Sequence, residues 1–561
     1  MKRVDRSAAR AEAASELASL GFLETGGTWQ RETASLKLTA ELPPRFPYQL
    51  PTLRVDRATF KQVVPHVDAT GKVCVAHENG LLLDATRPRA LVRAAVERAN
   101  EILERGARGE TRADLYDEFG AYWGGKRELL SLCVPDESAR PVKLARVEEK
   151  SYGARYVVAD KGSDLRRFAA RVGLRFQKIT PAFYVPLTKP VDPPMFREEL
   201  TIGFARKLFE EGAGAATWTE AAKWLGDAEN LTLILSFALD AERGRVLFAL
   251  RAREELIGSS NGFRAGHLPF PLALQRYSSS AAARLSVTRA DGLYLRERTG
   301  NFLDLSGKRV VVVGCGALGS HVSVMLAEAG VGFLTLIDPE DLNAENAMRH
   351  VLGMTHVGKR KVEALRAHIQ AKLPSVEVRA IGESVDDALA RERGMFAAAD
   401  VVVLATGDHT LELAISETAR REVRLVHAWV EAQGVGGHVL VDGKDSVGCL
   451  ACLYESDEQF GLVCRASFCA PGQVFTRTLA GCAGVFTPFG AMDAQRAAIE
   501  AARATIDALS GRIVKSALIS WLESTAAFDE GRLEPSARVQ LMQAGVRVST
   551  DEHAKGCARC Q

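Results

Sequence analysis

The stretch Arg309-Val-Val-Val-Val-Gly-Cys-Gly-Ala-Leu-Gly-Ser320 decides the fold of the C-terminal half of the chain. It opens with an apolar, β-branched run typical of a buried strand, and a glycine loop then leads into a helical pattern that reaches Ala329. Phe333-Leu-Thr-Leu-Ile337 follows as the next strand. Strand, helix and strand in this order predict a βαβ unit, and therefore an α/β domain with a Rossmann-like parallel sheet.

The glycine loop indicates a nucleotide site. Gly314, Gly316 and Gly319 have the G-x-G-x-x-G spacing directly between a strand and a helix. Glycines there let the backbone turn tightly and approach phosphates, whose charge the helix N-terminus favours. Asp338 ends the next strand, where a carboxylate can bind a ribose hydroxyl group. By itself the fingerprint also fits an ordinary Rossmann oxidoreductase.

The residues after this strand distinguish the two readings. Asp338-Pro-Glu-Asp-Leu-Asn-Ala-Glu-Asn-Ala-Met-Arg-His350 and Val357-Gly-Lys-Arg-Lys361 resemble the ThiF/MoeB and ubiquitin-activating family. The resemblance implies that ATP adenylates a terminal carboxylate, a reaction in which cations must neutralise charge growing on the phosphates. It implies that Asp338 binds the ribose, that Asp408 holds magnesium, and that the phosphates are faced by Asn346, Arg349 and Lys361. The family has an additional N-terminal arginine, often contributed across a dimer, and Arg296 or Arg298 is the candidate for it.

Two CxxC pairs indicate a structural zinc site. Cys449-Leu-Ala-Cys452 and Cys557-Ala-Arg-Cys560 each present two thiolates from one turn, and four thiolates make a closed tetrahedral site. A redox-active CxxC is the rival interpretation. The resembling family carries the same two pairs, which implies that zinc fastens the end of the chain to the adenylation domain.

A further cysteine is expected to accept the acyl group. Cys482 lies in a loop before the predicted helix at residues 493–509, where ubiquitin-activating relatives carry an acceptor thiol. A thiolate near a helix N-terminus has a lowered pKa and is a competent nucleophile. Cys464 and Cys469, in the predicted crossover segment from Phe460 to Phe475, compete for this role.

The N-terminal region resembles a ubiquitin-conjugating domain. The resemblance rests on Pro43-Pro-Arg-Phe-Pro-Tyr-Gln-Leu-Pro51 and on His66-Val-Asp-Ala-Thr-Gly-Lys-Val-Cys74. It implies that Cys74 carries a thioester, whereas an inert buried cysteine is the alternative. The sequence departs from the family's His-Pro-Asn, because Pro65-His66-Val67 stands in its place and the asparagine is absent. His66 either substitutes for that asparagine in catalysis or is a packed histidine.

These motifs divide the 561 residues into three predicted domains. They are an α+β conjugating-like domain (1–125), a mixed α/β middle region of unknown role (126–300) and the adenylation domain (301–561). The net charge of +2 gives no sign of direct binding to nucleic acid or to a membrane. With neither a signal peptide nor an apolar run long enough to span a bilayer, we expect a cytoplasmic protein.

A conjugating domain fused to an activating domain resembles bacterial antiphage enzymes of CBASS or ubiquitin-like conjugation operons. The expected partner is a ubiquitin-like protein or a cGAS-like nucleotidyltransferase with a free C-terminal tail, joined through two thioesters to a target protein. The family also implies a homodimer. The alternatives are an enzyme that adenylates a sulfur carrier, with the N-terminal domain used only for docking, and a non-catalytic scaffold.

Overall fold

A computed structural model describes residues 4–33, 36–56, 60, 62–76, 81–124, 127–148, 153–195, 198–225, 230–240, 244–252, 270–298, 303–444, 446–459, 461–478, 485–523, 525–550, 557 and 560. The chain forms two compact units, the first made of residues 1–167 and 174–291 and the second of residues 168–173 and 292–561. Among the described helices, none combines the length and the apolar character that crossing a membrane requires.

The first unit begins with an antiparallel four-stranded sheet in the order β1-β2-β3-β4, flanked by helices. The sheet packs its apolar face against α1 and α2 around a core that includes Leu17, Leu53 and Val96. The elements are α1 (Arg6–Ser19), β1 (Leu23–Thr25), β2 (Thr28–Glu32), β3 (Lys37–Glu41), β4 (Thr52–Val55), α2 (Pro88–Ala107), α3 (Arg112–Asp117) and α4 (Phe119–Trp123).

The rest of the first unit is a mixed sheet in the order β11-β10-β8-β6-β7-β5-β12-β9. Because β11 also pairs with β12, the sheet closes on itself as a barrel, which we call the middle barrel. The elements in this part of the chain are β5 (Arg127–Ser131), β6 (Arg140–Val147), β7 (Tyr156–Ala159), α5 (Gly162–Val172), β8 (Phe176–Leu187), β9 (Leu200–Thr201), α6 (Ile202–Trp224), β10 (Thr232–Asp240), β11 (Gly244–Ala252), α7 (Phe270–Arg276) and β12 (Ala281–Arg289).

The second unit is built on an eight-stranded sheet in the order β15-β14-β13-β16-β17-β18-β23-β24, parallel from β15 to β17 and antiparallel beyond. Its elements are α8 (Gly292–Glu297), β13 (Arg309–Val313), α9 (Gly319–Glu328), β14 (Phe333–Ile337), α10 (Lys361–Lys372), β15 (Glu377–Ile381), α11 (Val385–Arg391), β16 (Val401–Leu404), α12 (His409–Ala419), β17 (Arg424–Val430), β18 (Gly436–Asp442), β19 (Tyr454–Asp457), β20 (Gly461–Cys464), β21 (Arg477–Thr478), β22 (Val485–Phe486), α13 (Ala491–Leu509), β23 (Ala517–Leu522), α14 (Ala526–Gly531) and β24 (Arg547–Thr550).

The central strand β13 explains why this sheet is covered on both faces. Val310 and Val312 point into one hydrophobic core, together with α9 and α13, whereas Val311 and Val313 point into a second core. A strand buried on both faces needs an unbroken apolar run, which is what residues 310–313 supply. The carboxyl ends of the parallel strands therefore meet at one edge, where ligands bind in such sheets.

The predicted fold class is confirmed: an α/β Rossmann-like sheet follows an α+β N-terminal region and a mixed middle region. The bounds differ in places, since the strand expected at residues 34–42 is β3 at Lys37–Glu41, with residues 34 and 35 outside the described residues. The long helix α6 had no counterpart among the predictions. Its two halves meet at Gly214, where the backbone is not helical, so no continuous apolar stripe marks the whole helix.

Candidate functional site

The glycine loop has the close approaches that its sequence predicts. Gly314 has a φ of +81°, and a side chain there would lie 2.6 Å from the carbonyl oxygen of Ala405. At Gly319 a Cβ atom would lie 1.8 Å from the carbonyl oxygen of Gly314, so α9 can start here only from glycine. Around Gly316 there is open space, and this residue lines the cavity described next.

A cavity of about 960 Å³, which we call the nucleotide cavity, opens at the carboxyl ends of the parallel strands. Seven of the eight residues predicted to contact ATP or magnesium line it, and Gly319 is the exception. The predicted residues in its wall are Gly314, Gly316, Asp338, Asn346, Arg349, Lys361 and Asp408. Neither Arg296 nor Arg298 is among the described residues that line it.

Asp338 joins the glycine loop to the segment that follows β14. One of its carboxylate oxygens accepts a hydrogen bond from the amide of Cys315 at 2.7 Å, and the other accepts from the amide of Glu340 at 2.9 Å. The side chain is buried, and both oxygens retain acceptor capacity for a ribose hydroxyl group. Asp338 therefore fixes the shape of the site as well as lining it.

Two cations border the cavity in different settings. The Lys361 side chain is only 4% exposed, and its ammonium group forms an ion pair with Glu340, which is 67% exposed. The Arg349 guanidinium group lies 4.4 Å from the centroid of the Phe489 ring. Both charges can therefore be presented to an anionic ligand from a partly apolar wall, where electrostatic attraction exceeds that in water.

Asn346 and Asp408 hold the polar rim. The side-chain oxygen of Asn346 accepts from the amide of Asn343 at 3.1 Å, within a one-turn helix. Asp408 is the N-cap of α12, and its carboxylate accepts from the amide of Leu411 at 3.0 Å. A carboxylate fixed in this way at the cavity wall is a suitable ligand for magnesium, which prefers hard oxygen donors.

Two buried carboxylate–histidine pairs at this wall, one of which includes the lining residue Glu431, escaped the sequence analysis. Glu412 accepts from the amide and the hydroxyl group of Thr406, at 3.1 and 2.8 Å, and lies 3.1 Å from His427. Glu431 lies 3.1 Å from His438. The only signal in the sequence is polar residues interrupting apolar strands, because the pairs form between separate elements. Glu412 holds the loop that carries Asp408, so it supports the predicted magnesium ligand.

The two CxxC pairs come together. The Sγ–Sγ distances are 4.0 Å for Cys449–Cys452, 3.5 Å for Cys449–Cys557, 3.4 Å for Cys452–Cys560 and 3.7 Å for Cys557–Cys560. Four thiolates about 2.3 Å from a zinc ion occupy the corners of a tetrahedron with edges of about 3.8 Å. The separations fit such an ion and are much too long for the roughly 2.05 Å of a disulfide.

The candidate acceptor cysteines of the adenylation domain differ in their setting. Cys482 lies outside the described residues. Cys464 lines the nucleotide cavity, and burial raises the pKa of its thiol to about 11. Cys469 is buried away from the described cavity wall, and burial raises the pKa of its thiol to about 12. Such thiols are weakly ionised at neutral pH, which disfavours both as resting nucleophiles.

Cys74 is exposed, in contrast to the buried cysteine considered as an alternative. Its amide donates to the carbonyl oxygen of His66 at 2.7 Å, across a turn closed by the bridge between Val67 and Val73. His66 is half-buried with its ring between two carboxylates, Asp114 at 3.4 Å and Glu118 at 3.2 Å. These acidic partners were not expected from the sequence, since they are about 50 positions away.

Comparisons with known proteins match two segments of the chain to known families. Residues 294–519 match the ThiF family, and residues 17–131 match the Prokaryotic E2 family B. The ATP-dependent ubiquitin transferase-like protein Cap2 of Pseudomonas aeruginosa is 26% identical over 84% of this chain and 84% of its own length. The sulfur carrier protein ThiS adenylyltransferase of Escherichia coli is 30% identical over 29% of this chain and 64% of its own length. The crystal structure of E. coli MccB with succinimide has a TM-score of 0.33 and 18% identity, over 48% of this chain and 68% of that one.

Proposed function

We propose that this chain attaches the C-terminus of a partner protein to a target amine. The chain joins a ThiF-type adenylation domain to a prokaryotic E2-like domain, and it is an ATP-dependent adenylating and conjugating enzyme. The observation that carries this proposal is the nucleotide cavity, whose wall includes Arg349, Lys361, Asp338 and Asp408, in the same chain as the exposed thiol of Cys74. The wall supplies charges for adenylation, and the thiol supplies a carrier for the product.

In the first step a carboxylate oxygen of the partner's C-terminus attacks the α-phosphorus of ATP, and the bond to pyrophosphate breaks. The product is an acyl-adenylate. Arg349 and Lys361 neutralise charge on the phosphates as the transition state forms, Asn346 orients them, and Asp338 binds the ribose. Asp408 would hold magnesium, which neutralises phosphate charge and favours the departure of pyrophosphate.

In the following steps the acyl group moves between nucleophiles. The thiolate of Cys482 attacks the acyl carbon, AMP leaves, and a thioester forms. The thiolate of Cys74 then attacks this thioester and releases Cys482. Finally, a target amine attacks the Cys74 thioester, the carbon–nitrogen bond forms, and the Cys74 thiolate leaves. Each thioester retains enough free energy for the next transfer.

The partner we propose is a ubiquitin-like protein or a cGAS-like nucleotidyltransferase with a free C-terminal tail, in a bacterial antiphage setting. The Cap2 relative, an ATP-dependent ubiquitin transferase-like protein, supports the conjugating reading over most of the chain. A closed zinc site at Cys449, Cys452, Cys557 and Cys560 would be structural, because four sulfur ligands leave no open position for chemistry. We further propose a homodimer working in the cytoplasm.

The relay is tested with purified full-length protein, magnesium, ATP and a candidate partner from the same operon. Thiol-sensitive adducts are resolved on non-reducing gels for the wild type and for Cys482→Ala and Cys74→Ala. The relay predicts that Cys482→Ala abolishes all adducts, whereas Cys74→Ala retains one.

Two matched variants, Cys464→Ala and Cys469→Ala, are expected to behave as the wild type. Loss of every adduct in Cys464→Ala instead would move the acceptor to the cavity wall. Wild-type adducts in both Cys482→Ala and Cys74→Ala would contradict the conjugation reading. Pyrophosphate exchange that persists in that case would leave an enzyme that adenylates a sulfur carrier, and its absence in the wild type would leave a scaffold.

A further inference from the structure

The backbone of His66 is strained and ties directly to Cys74. His66 has a φ of 61°, in the left-handed region that favours glycine and that bulky side chains seldom adopt. Both polar groups of its main chain are engaged: the amide donates to the Tyr122 hydroxyl oxygen at 2.6 Å, and the carbonyl oxygen accepts from the amide of Cys74 at 2.7 Å. Whatever holds His66 in this conformation therefore fixes the backbone of Cys74.

The His66 ring is held from two sides. Its Nε2 atom lies 3.4 Å from a carboxylate oxygen of Asp114, and its Nδ1 atom lies 3.2 Å from one of Glu118. Both carboxylates accept, so both ring nitrogens must donate, and only the protonated imidazolium can do so. The Tyr122 hydroxyl group donates to Glu118 and completes the set. We call these four residues, His66, Asp114, Glu118 and Tyr122, the His66 clamp.

The charges around His66 agree with a protonated imidazolium. The groups that face His66 are Asp114 from α3, Glu118 from the junction of the two helices, Tyr122 from α4 and Cys74 from its own turn. The hydrogen bond to Glu118, followed by the charges of both carboxylates, raises the pKa of His66 above 6.5 against the opposing effect of burial. A raised pKa means that the ion pairs are complete below neutral pH and are lost as pH rises through the folded-state pKa.

The clamp is anchored on the middle barrel. Phe119 and Trp123, both on α4, are buried against Phe237 of β10 and Phe248 of β11, with ring centroids 5.1 and 4.6 Å apart respectively. The Trp123 indole also donates to the carbonyl oxygen of Leu285 on β12 at 3.2 Å. One side of α4 is thus fixed to the barrel, while another side carries Tyr122, whose hydroxyl group accepts from the His66 amide.

We propose that α3 and α4 position Cys74 for thioester chemistry. Asp114, Glu118 and Tyr122 act as positioning residues that hold His66, and the His66 carbonyl group sets the amide of Cys74. The middle barrel is then the support of the thiol site and more than a spacer between two domains. The importance of this support for catalysis rests on the proposed function, because both concern the thiol of Cys74.

The test measures Cys74 without ATP or a partner. Full-length protein is alkylated with iodoacetamide across a pH series, and mass spectrometry follows the peptide that contains Cys74. In the wild type we expect the rate to show a second inflection from His66, with a midpoint above 6.5. Asp114→Asn and Glu118→Gln should each lower this midpoint by about one pH unit, since an opposite charge within a few ångströms shifts a pKa by that order. His66→Asn keeps a residue tolerant of positive φ and should abolish the inflection.

Controls separate positioning from general damage. Glu101→Gln removes an exposed carboxylate that pairs with Arg98 and Arg105 on α2, and it should leave the profile unchanged. Asp114→Glu keeps the charge and should restore the wild-type midpoint. Amide hydrogen exchange across residues 66–75 should rise at least tenfold in Tyr122→Phe at unchanged melting temperature.

An unchanged midpoint in both Asp114→Asn and Glu118→Gln would overturn the clamp. So would a wild-type profile in His66→Asn. The alkylation profile of Cys74 could also behave as expected in a protein that forms no partner adducts. That result would contradict the relay, but it would leave the coupling of His66 to Cys74 intact.

Discussion

Replacing Lys361 with methionine separates a catalytic charge from a structural one. The Lys361 side chain is buried, so methionine, an unbranched side chain of comparable length, fills most of its volume. The ion-pair partner, Glu340, is mostly exposed and can be hydrated when the lysine is lost. Since pairs with an exposed member contribute no more than about 1 kcal/mol, we expect the melting temperature to fall by no more than about 2–4 °C.

The expected effect on activity is far larger. If the ammonium group faces the phosphates, its loss removes one fixed charge from the transition state of adenylation. Loss of one such preorganised contact costs about 10²- to 10³-fold in rate, or about 2.7–4 kcal/mol. The assay is partner-dependent exchange of labelled pyrophosphate into ATP, with Glu340→Gln as the matched control, because it breaks the same ion pair and keeps the cation.

The two variants should behave in opposite ways. Glu340→Gln should retain exchange within a few-fold of the wild type, whereas Lys361→Met should lose nearly all of it while remaining folded. Exchange within threefold of the wild type in Lys361→Met would refute the placement of Lys361 at the reacting phosphates. Equal losses in both variants would assign the importance to the ion pair itself.

Three further outcomes follow from the geometry. Metal analysis should find one zinc ion per chain, lost in Cys560→Ser but kept in Cys133→Ser, whose thiol is buried elsewhere; equal zinc in both would contradict the four-cysteine site. Gly319→Ala should abolish soluble expression, because its Cβ atom would lie 1.8 Å from a backbone oxygen. The control variant Gly307→Ala has open space around the new Cβ atom and should express normally. A well-folded Gly319→Ala protein would contradict the close packing of α9. Burial lowers the pKa of His350 to about 4 from an ordinary 6.5. The unfolded chain then binds the extra proton first as pH falls, so stability should drop by about 2 kcal/mol between pH 7 and pH 5 in unfolding experiments, a loss that His350→Asn should largely remove.

The meeting of the candidate nucleotide-binding residues at one cavity could be predicted because its signals are local. The run Val310–Val313, the three glycines and Asp338 lie within thirty positions, and each dictates its own conformation or contact. Parallel strands then bring Asp408 to the same edge without any further information. The four-cysteine cluster was predicted from spacing and resemblance, although its two halves are more than a hundred positions apart.

The middle barrel and the His66 clamp could not be predicted in this way. The barrel closes through β11 and β12 and through the parallel pair of β12 with β5, whose residues are about 160 positions apart. No periodicity in a single strand identifies such a partner, because pairing depends on the whole topology. Likewise, no signal in the sequence distinguishes Asp114 and Glu118 from solvated charges. Only the structure shows that the His66 ring lies between them.

The acyl relay is tested by the intact mass of full-length Cys74→Ser protein after incubation with ATP, magnesium and the candidate partner. A serine in the carrier position would trap the acyl group as an oxyester that survives reducing agents. The relay from Cys482 to Cys74 predicts a species with the summed mass of chain and partner minus one water. This species should be absent without ATP and absent when Cys482→Ala is added. Free protein alone in reduced Cys74→Ser, together with a wild-type set of thiol-sensitive adducts that Cys74→Ala leaves complete, would contradict the relay.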